Sequence, residues 1–448
     1  MRIVVAGNGM AGTRLASLLV GHDVTVFGAE PHPAYNRVLL SELLAGRRTE
    51  VRLAAPPADV RIGVSVLAVD RARRQVVDSE GGRTGYDALV LATGSRAWVP
   101  PGIPDLAGVT AFRTLDDCRA IIEAARTARH AVVLGGGLLG LEAARGLAAR
   151  GLPVTLVHPW PHLMERQLDA AAGQVLARGL ARLGVRILLN TTVTSAYGVG
   201  RFRGLILGNG SRLEGDLLVV ACGVRPEVGL ARQAALAVGR GVIVDDAMRS
   251  VTDPRIWAIG ECAEHDGQVY GLVAPAWEQA AVAAARITGS AARYRGSRLV
   301  TRLKADGIEL AAMGESLADP LGDDPGLEVV SFCDPARGTY KKLVLRDGRL
   351  AGALLLGDIG TVGLVTQLYD RGRPVYDRQS LLFGSPAPAQ DDEICRCNGV
   401  TSSQIRGSYD EGARDLPSIA RKTRATTGCG GCGDRIAALL ASWSAQAA

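Results

Sequence analysis

Residues 2–19 read RIVVAGNGMAGTRLASLL, and residues 130–151 read HAVVLGGGLLGLEAARGLAARG. Each is a short apolar strand, a glycine-rich turn and an amphipathic helix, and each is followed by a second apolar strand, HDVTVFGAE (22–30) and LPVTLVHP (152–159). That is the opening of a doubly wound dinucleotide-binding fold. One G-x-G-x-x-G pattern can arise by chance. Two of them, both framed by strand and helix, decide the fold as α/β with two Rossmann-type domains.

The chemistry of the turns follows from the residue types. In the first, Gly7 permits the tight turn, Gly9 lets a pyrophosphate approach the backbone, and Gly12 allows close packing of the helix. The helix N-terminus then presents free N–H groups to the anion. Glu30 ends the second strand, 23 residues after Gly7, where a carboxylate can accept hydrogen bonds from a ribose diol. Gly135, Gly137 and Gly140 take the same roles in the second turn, and His158 stands in register with Glu30. A neutral imidazole there can bond a ribose hydroxyl, an imidazolium would attract a 2′-phosphate, and a histidine merely ending a strand is the third reading. The choice between NADH and NADPH stays open on these residues.

Elsewhere, residues 64–100 alternate as a β-meander leading into a buried strand that ends at Ala92-Thr93-Gly94. Residues 294–383 change to an α+β pattern, with a hairpin turning at Asp347-Gly348. SPAPAQDD (385–392) reads as a linker, and a unit of about fifty residues follows it. That unit holds Cys395 and Cys397 in EICRCNGV, and Cys429 and Cys432 in TGCGGCGD, with 31 residues between the inner pair. Four such thiolates suit one metal centre. Zinc sites space paired cysteines by two to four residues, which a C-x-C pair strains, whereas an iron–sulfur cluster accepts four cysteines.

Composition excludes several classes. With 448 residues, 47% hydrophobic and 21% charged, the chain is globular and multi-domain. The net charge of +6 is spread along the chain without a basic tail, which excludes nucleic acid as the expected partner. No run of about 18 apolar residues predicts a membrane span. The chain begins directly in a strand, without signal-peptide architecture, and clustered thiols in that setting predict a reduced, cytoplasmic protein.

With the ATG strand and the AIGE turn (258–261), the two turns resemble the two-dinucleotide-domain flavoproteins, which include glutathione reductase and the ferredoxin reductases. That resemblance implies FAD on the first turn and NAD(P)H on the second. Thr93 and Gly94 then lie on the strand linking the nucleotide domains, and Gly260 and Glu261 beside the flavin ribityl chain, where most members carry Asp. The disulfide-reductase branch needs a redox cysteine pair in the segment YNRVLLSELLAG, and none is there. The expectation is therefore the ferredoxin and rubredoxin reductase branch, in which Arg37 and Arg113 resemble FAD-contacting arginines and Glu142 a residue facing the nicotinamide. Glu42 replaces a lysine common there. Cys118, Cys222, Cys262 and Cys333 are read as ordinary core or turn residues.

The cysteine unit resembles the bacterioferritin-associated-ferredoxin-like [2Fe–2S] domain, with Arg396, Lys422 and Arg424 as candidate counter-charges to the cluster. In order, PAYNRVLLSELLAG, LMERQLD, IGECAEHDGQVYGLVAPAWEQA, YKKLVLRDGRLAGALLLGD and the cysteine unit resemble two things: the flavoprotein part of NADH-dependent assimilatory nitrite reductase, and the electron-transfer subunit of assimilatory nitrate reductase. The resemblance implies a FAD domain at 1–115 and 245–293, a NAD(P)H domain at 116–244, a rubredoxin-reductase-like α+β domain at 294–384, a linker at 385–392 and a [2Fe–2S] domain at 393–440. NADH is the favoured donor. No sirohaem or molybdopterin domain is present in the sequence, so terminal reduction is expected on another polypeptide, the molybdenum subunit of nitrate reductase first. The alternatives are a sirohaem nitrite reductase, a ferredoxin- or rubredoxin-type carrier, or an iron-trafficking role through the cluster unit. A flexible linker would let the cluster move between flavin and acceptor.

Overall fold

The computed structural model describes residues 1–305, 307–320, 322, 324–384 and 391–446. Most of the expected linker, 385–390, lies outside the described residues. The chain divides into two units, one of residues 1–40, 49–98 and 223–297, the other of 41–48, 99–222 and 298–448.

The first unit is built on a five-stranded parallel sheet in the order Ile256–Ala258, Ala88–Leu91, Arg2–Ala6, Asp23–Gly28, Asp59–Ile62. Ile3, Val4, Val5, Ala88, Leu89 and Val90 are buried without alternation, as strands covered on both faces must be. The helix Met10–Leu18 covers the sheet and packs on the helix Val273–Ile287. The meander expected before the ATG strand is three antiparallel strands, Val66–Asp70, Gln75–Asp78 and Arg83–Gly85.

The second unit carries the second parallel sheet, ordered Val185–Leu188, Val154–Val157, Ala131–Leu134, Leu217–Val220, Val109–Ala111. The last strand decides a boundary. Because Val109–Ala111 pairs with Leu217–Val220, residues 99–115 fold with the second nucleotide sheet rather than the first. Residues 223–244 go the other way, and Tyr294 is buried in the first unit's core, so the α+β region starts at 298 rather than 294.

That region is an antiparallel sheet ordered Val300–Ala305, Ile308–Gly314, Arg349–Leu356, Thr339–Arg346, Leu327–Asp334, backed by the helices Val362–Arg371 and Arg378–Phe383. Its hairpin turns where expected, with Asp347 and Gly348 at φ +50° and +68°, the left-handed pair that matches strand twist. Two lysines on Thr339–Arg346 are buried and paired: Lys341 donates to Asp358 at 2.6 Å, and Lys342 to Asp169 at 2.6 Å. Asp169 also caps the helix Ala170–Arg182 and accepts from Tyr340 at 2.8 Å. Burial pushes the Asp169 carboxyl up, but Lys342, the Ala172 N–H and Tyr340 together hold it below the usual carboxylate range. The α+β sheet is thereby fastened to the second nucleotide domain.

The cysteine unit is a small hairpin, Glu393–Cys395 with Val400–Thr401, followed by the helices Ser402–Asp410, Leu416–Thr423 and Gly433–Gln446. Capping boxes at Thr401/Gln404 and Asp415/Ser418 start the first two. Its core includes Ile394, Ile405, Ile419 and Ile436 together with Cys395 and Cys432. No helix among the described residues is long and apolar enough to cross a membrane.

Candidate functional site

Both glycine-rich turns have the same three-part construction. A Cβ on Gly7 would lie 2.1 Å from the Ala92 carbonyl oxygen, and φ is +126°; for Gly135 the values are 2.4 Å, to Ala221, and +117°. A Cβ on Gly12 or Gly140 would lie 1.9 Å from the carbonyl oxygen of Gly7 or Gly135. Protein packing therefore demands the first and third glycines. It does not demand the second: a Cβ on Gly9 or Gly137 would meet nothing within 4 Å. These residues cap the helices Met10–Leu18 and Leu138–Ala149 without a side-chain cap bond, so each helix start opens onto free space. An anion seated on backbone N–H groups supplies the reason for a glycine there. The residues fit a dinucleotide pyrophosphate at each turn.

The first unit brings together nine of the expected residues: Gly7, Gly9, Gly12, Glu30, Arg37, Thr93, Gly94, Gly260 and Glu261. Glu30 accepts from the Tyr35 hydroxyl at 2.5 Å and pairs with the Arg37 guanidinium, which also lies over the Tyr35 ring. Asn36 starts the short helix Arg37–Leu39 by accepting from Val38 N–H. The carboxylate is thus held by two neighbours while remaining partly exposed. Thr93 donates to the Glu227 carbonyl at 2.6 Å, fixing the end of the buried ATG strand. Glu261 accepts from the Ser95 hydroxyl at 2.6 Å, and the Gly260 N–H donates to the Gln279 side chain at 2.8 Å. Gly260, at φ +76°, lies against Ala11 in the first turn. Tyr35 and Ser95 were not singled out in the sequence; a hydroxyl two residues from Arg37 or two from Thr93 carries no motif of its own.

Arg113 belongs to the second unit and precedes the helix Leu115–Ala125; its backbone N–H donates to Asp117 at 3.0 Å. Glu142 lies half-buried on the helix Leu138–Ala149. His158 is buried, and both ring nitrogens are engaged. Nδ1 accepts from the Gly136 N–H at 3.0 Å, and Nε2 lies 3.2 Å from Glu165. An accepting Nδ1 carries no proton, so the ring is neutral with its hydrogen on Nε2. Burial pulls the imidazole below its usual range, outweighing the pull of Glu165 the other way. Gly136 is glycine for the same reason, since a Cβ there would meet the ring at 2.6 Å. In this arrangement His158 shapes the turn.

The remaining cysteines are free thiols. Burial pushes Cys118 up to about 12 and Cys222 up to about 11; Cys262 is buried against the carbonyls of Leu91 and Ile259, while Cys333 is exposed on a strand.

The four clustered cysteines converge. Cys395 and Cys397 have their sulfurs 3.6 Å apart, the Cys432 thiol lies close enough to Cys395 to shift its ionisation, and the Cys429 backbone N–H donates to the Cys397 sulfur at 3.5 Å. Gly428 clears the way, because a Cβ there would lie 2.7 Å from that sulfur. The loop is forced into shape by two non-glycine residues in the left-handed region, Arg424 at φ +60° and Thr426 at φ +70°. Asn398 holds it by donating to the Arg424 carbonyl and the Thr427 hydroxyl. The hydrogen bond from Cys395 lowers the Cys432 thiol below its usual range, and the bond to Cys395 raises Cys397: neighbouring thiols cannot all ionise without a cation among them. Among the described residues no three such side chains surround a single ion. The sulfurs run as neighbours from Cys432 through Cys395 and Cys397 to Cys429, a set that fits a cluster of two irons with two thiolates each.

The comparisons with known proteins agree with this geometry. Residues 1–285 match the pyridine nucleotide-disulphide oxidoreductase family, 300–369 the rubredoxin NAD+ reductase C-terminal domain, and 393–442 the BFD-like [2Fe-2S] binding domain. The chain belongs to the pyridine nucleotide-disulphide oxidoreductase family. It is 37% identical to a nitrite reductase [NAD(P)H] of Bacillus subtilis (strain 168), over 98% of this chain and 57% of that protein. It is 35% identical to the assimilatory nitrate reductase electron transfer subunit of the same organism, over 98% and 59%. The chain thus spans less than two thirds of the length of these relatives. A ferredoxin reductase from Rhodopseudomonas palustris shares the fold at a TM-score of 0.73 and 26% identity, covering 85% of this chain and 99% of that one. The cofactor set of these families is FAD, NAD(P)H and a [2Fe–2S] cluster, and the residues present fit it.

Proposed function

We propose that the protein oxidises NAD(P)H and delivers single electrons, through FAD and a [2Fe–2S] cluster, to a separate terminal reductase. The observation that carries the reading is the pairing of two open glycine turns with four convergent thiols in one chain. FAD held at these sites would supply the chemistry of hydride acceptance from a nicotinamide and one-electron release to a cluster. The protein's own work is positioning. Gly7, Gly9 and Gly12 seat one pyrophosphate and Gly135, Gly137 and Gly140 the other; Glu30, held by Tyr35 and Arg37, faces the first ribose; Glu261, held by Ser95, receives the flavin's polar chain. Glu142 is assigned to the nicotinamide, and Arg113 to the flavin, by resemblance alone. Cys395, Cys397, Cys429 and Cys432 hold the cluster. A neutral His158 offers no charge to a 2′-phosphate, which supports NADH.

The acceptor we favour is the molybdenum catalytic subunit of an assimilatory nitrate reductase, supported by likeness to the electron transfer subunit. A sirohaem nitrite reductase is the second reading, supported by likeness to the NAD(P)H nitrite reductase. The test is NADH oxidation by the purified chain with either catalytic protein added. Nitrate-dependent turnover with the molybdenum subunit is expected; turnover only with the sirohaem protein and nitrite would transfer the assignment.

A further inference from the structure

The strand Val300–Ala305 of the α+β sheet carries Arg302, whose Nε, Nη1 and Nη2 are all buried without a hydrogen-bond partner among the described residues. A guanidinium has five N–H donors and cannot shed its charge, so burying it unpaired is among the least favourable arrangements a fold can contain. What faces it is the cysteine unit. A Cβ on Gly399 would lie 3.0 Å from Nη2 and 2.2 Å from Val362, so only a glycine, here at φ +60°, lets this hairpin close over the arginine. The ionisable groups whose fields reach Arg302 are Cys397, Glu393, Cys395 and Glu309.

Of the three cations expected in the cysteine unit, Lys422 and Arg424 are engaged elsewhere. Arg396 is exposed. Lys422 donates to the Glu411 carbonyl at 2.9 Å and its carboxylate at 3.2 Å. Arg424 pairs with Asp370 on the helix Val362–Arg371 and donates to the Arg298 carbonyl at 2.8 Å, clamping the cysteine unit onto the α+β domain. The clamp lies beside a buried cation that makes no hydrogen bond among the described residues and whose only carboxylate influences, Glu393 and Glu309, act at longer range.

We propose that Arg302 is the internal counter-charge of the cluster, supplied by the α+β domain, and that it raises the cluster's reduction potential while holding the cysteine unit docked. The proposal rests on the [2Fe–2S] reading of the four cysteines. Two ferric ions, two sulfides and four thiolates sum to a dianion, and reduction adds a third negative charge, so a fixed buried cation stabilises the reduced form more than the oxidised one. Arg302 is a positioning and tuning residue; it ligates nothing. It also gives the cysteine unit a reason to remain docked in the state that carries the electron.

The test uses the full-length protein, with the cluster's midpoint potential followed by EPR in a mediated redox titration, and with iron and acid-labile sulfide assayed on every sample. Arg302→Gln is expected to keep iron and sulfide and to lower the reduction equilibrium constant about tenfold, which is about 59 mV for a one-electron couple. Arg302→Lys is expected to recover most of that shift. Asp370→Asn, which breaks the clamp but leaves Arg302, is expected to leave the potential nearly unchanged. An Arg302→Gln potential equal to wild type would overturn the proposal, and so would an equal shift from Asp370→Asn, which would make docking rather than charge the cause. Should Arg302→Gln not accumulate in folded form, Arg302→Lys and Gly399→Ala carry the test. The first must keep the potential near wild type, and the second, which crowds the guanidinium, must lower it; the reverse pattern rejects the assignment. Wild-type protein lacking iron and sulfide would instead reject the cluster reading itself.

Discussion

At the first glycine turn the second strand ends in a partly exposed carboxylate, Glu30, tied to Tyr35 and Arg37; at the second it ends in a buried imidazole, His158, tied to Gly136 and Glu165. The glycines before them are constrained by the same contacts to within a few tenths of an ångström. What differs is whether the strand-end side chain is left facing outward or drawn back into the turn. Equal motifs thus give equal backbone cradles, but the residue that discriminates between ribose substituents can be diverted to holding up the cradle itself.

The sharpest way to break this comparison is to fill each turn. Gly12→Val and Gly140→Val both place atoms inside the packing distance of the turn carbonyl. The first is expected to yield protein without flavin. The second should keep its flavin while reduction by NADH slows about a hundredfold, equivalent to about 2.7 kcal/mol of barrier. Flavin absorbance per chain and stopped-flow reduction read both. Loss of flavin from Gly140→Val would show that the turns do not have separate ligands.

The second effect is on stability. His158→Phe leaves the buried Gly136 N–H without an acceptor and should cost about 1–3 kcal/mol in urea unfolding. Glu30→Gln, at a partly exposed site, should cost under about 1 kcal/mol while weakening flavin retention about tenfold. Equal stability losses would contradict the division of roles.

A third test is pH. The folded value of His158 is depressed below its unfolded value of about 6.5, so its contribution to stability is complete above that pH and declines as pH falls below it. The ratio of kcat/KM for NADH and NADPH should stay flat from about pH 8 down to about pH 7, above the ordinary imidazole range from which burial lowers this ring. A growing preference for NADPH on acidification would restore the imidazolium reading. The smallest expected effect is Ser95→Ala, which removes one hydrogen bond to Glu261 and should quicken flavin release only severalfold, about 1 kcal/mol.

Much of this was legible in the sequence because its causes are local. Strand, glycine spacing and helix lie within twenty residues at each turn, and Asp347-Gly348 announces its own hairpin. What was not legible depends on distant pairing. The strand Val109–Ala111 joins a sheet through Leu217–Val220, about a hundred residues away, which moved residues 99–115 into the second unit. Arg302 lies far before Cys395, the first of the four clustered cysteines, on a strand whose pattern says only that one face is buried. Lys422 and Arg424 looked like cluster cations by proximity in sequence, yet Glu411 and Asp370 hold them. Tyr35 and Ser95 hold functional carboxylates through single hydroxyls, which leave no periodic trace.

The most direct measurement is an anaerobic titration of the purified protein with NADH, followed by absorbance and low-temperature EPR. The account predicts bleaching of both the flavin and cluster bands, with a rhombic S = 1/2 signal appearing as electrons reach the four cysteines. Bleaching of flavin alone, with zinc and no iron found by metal analysis, would contradict it.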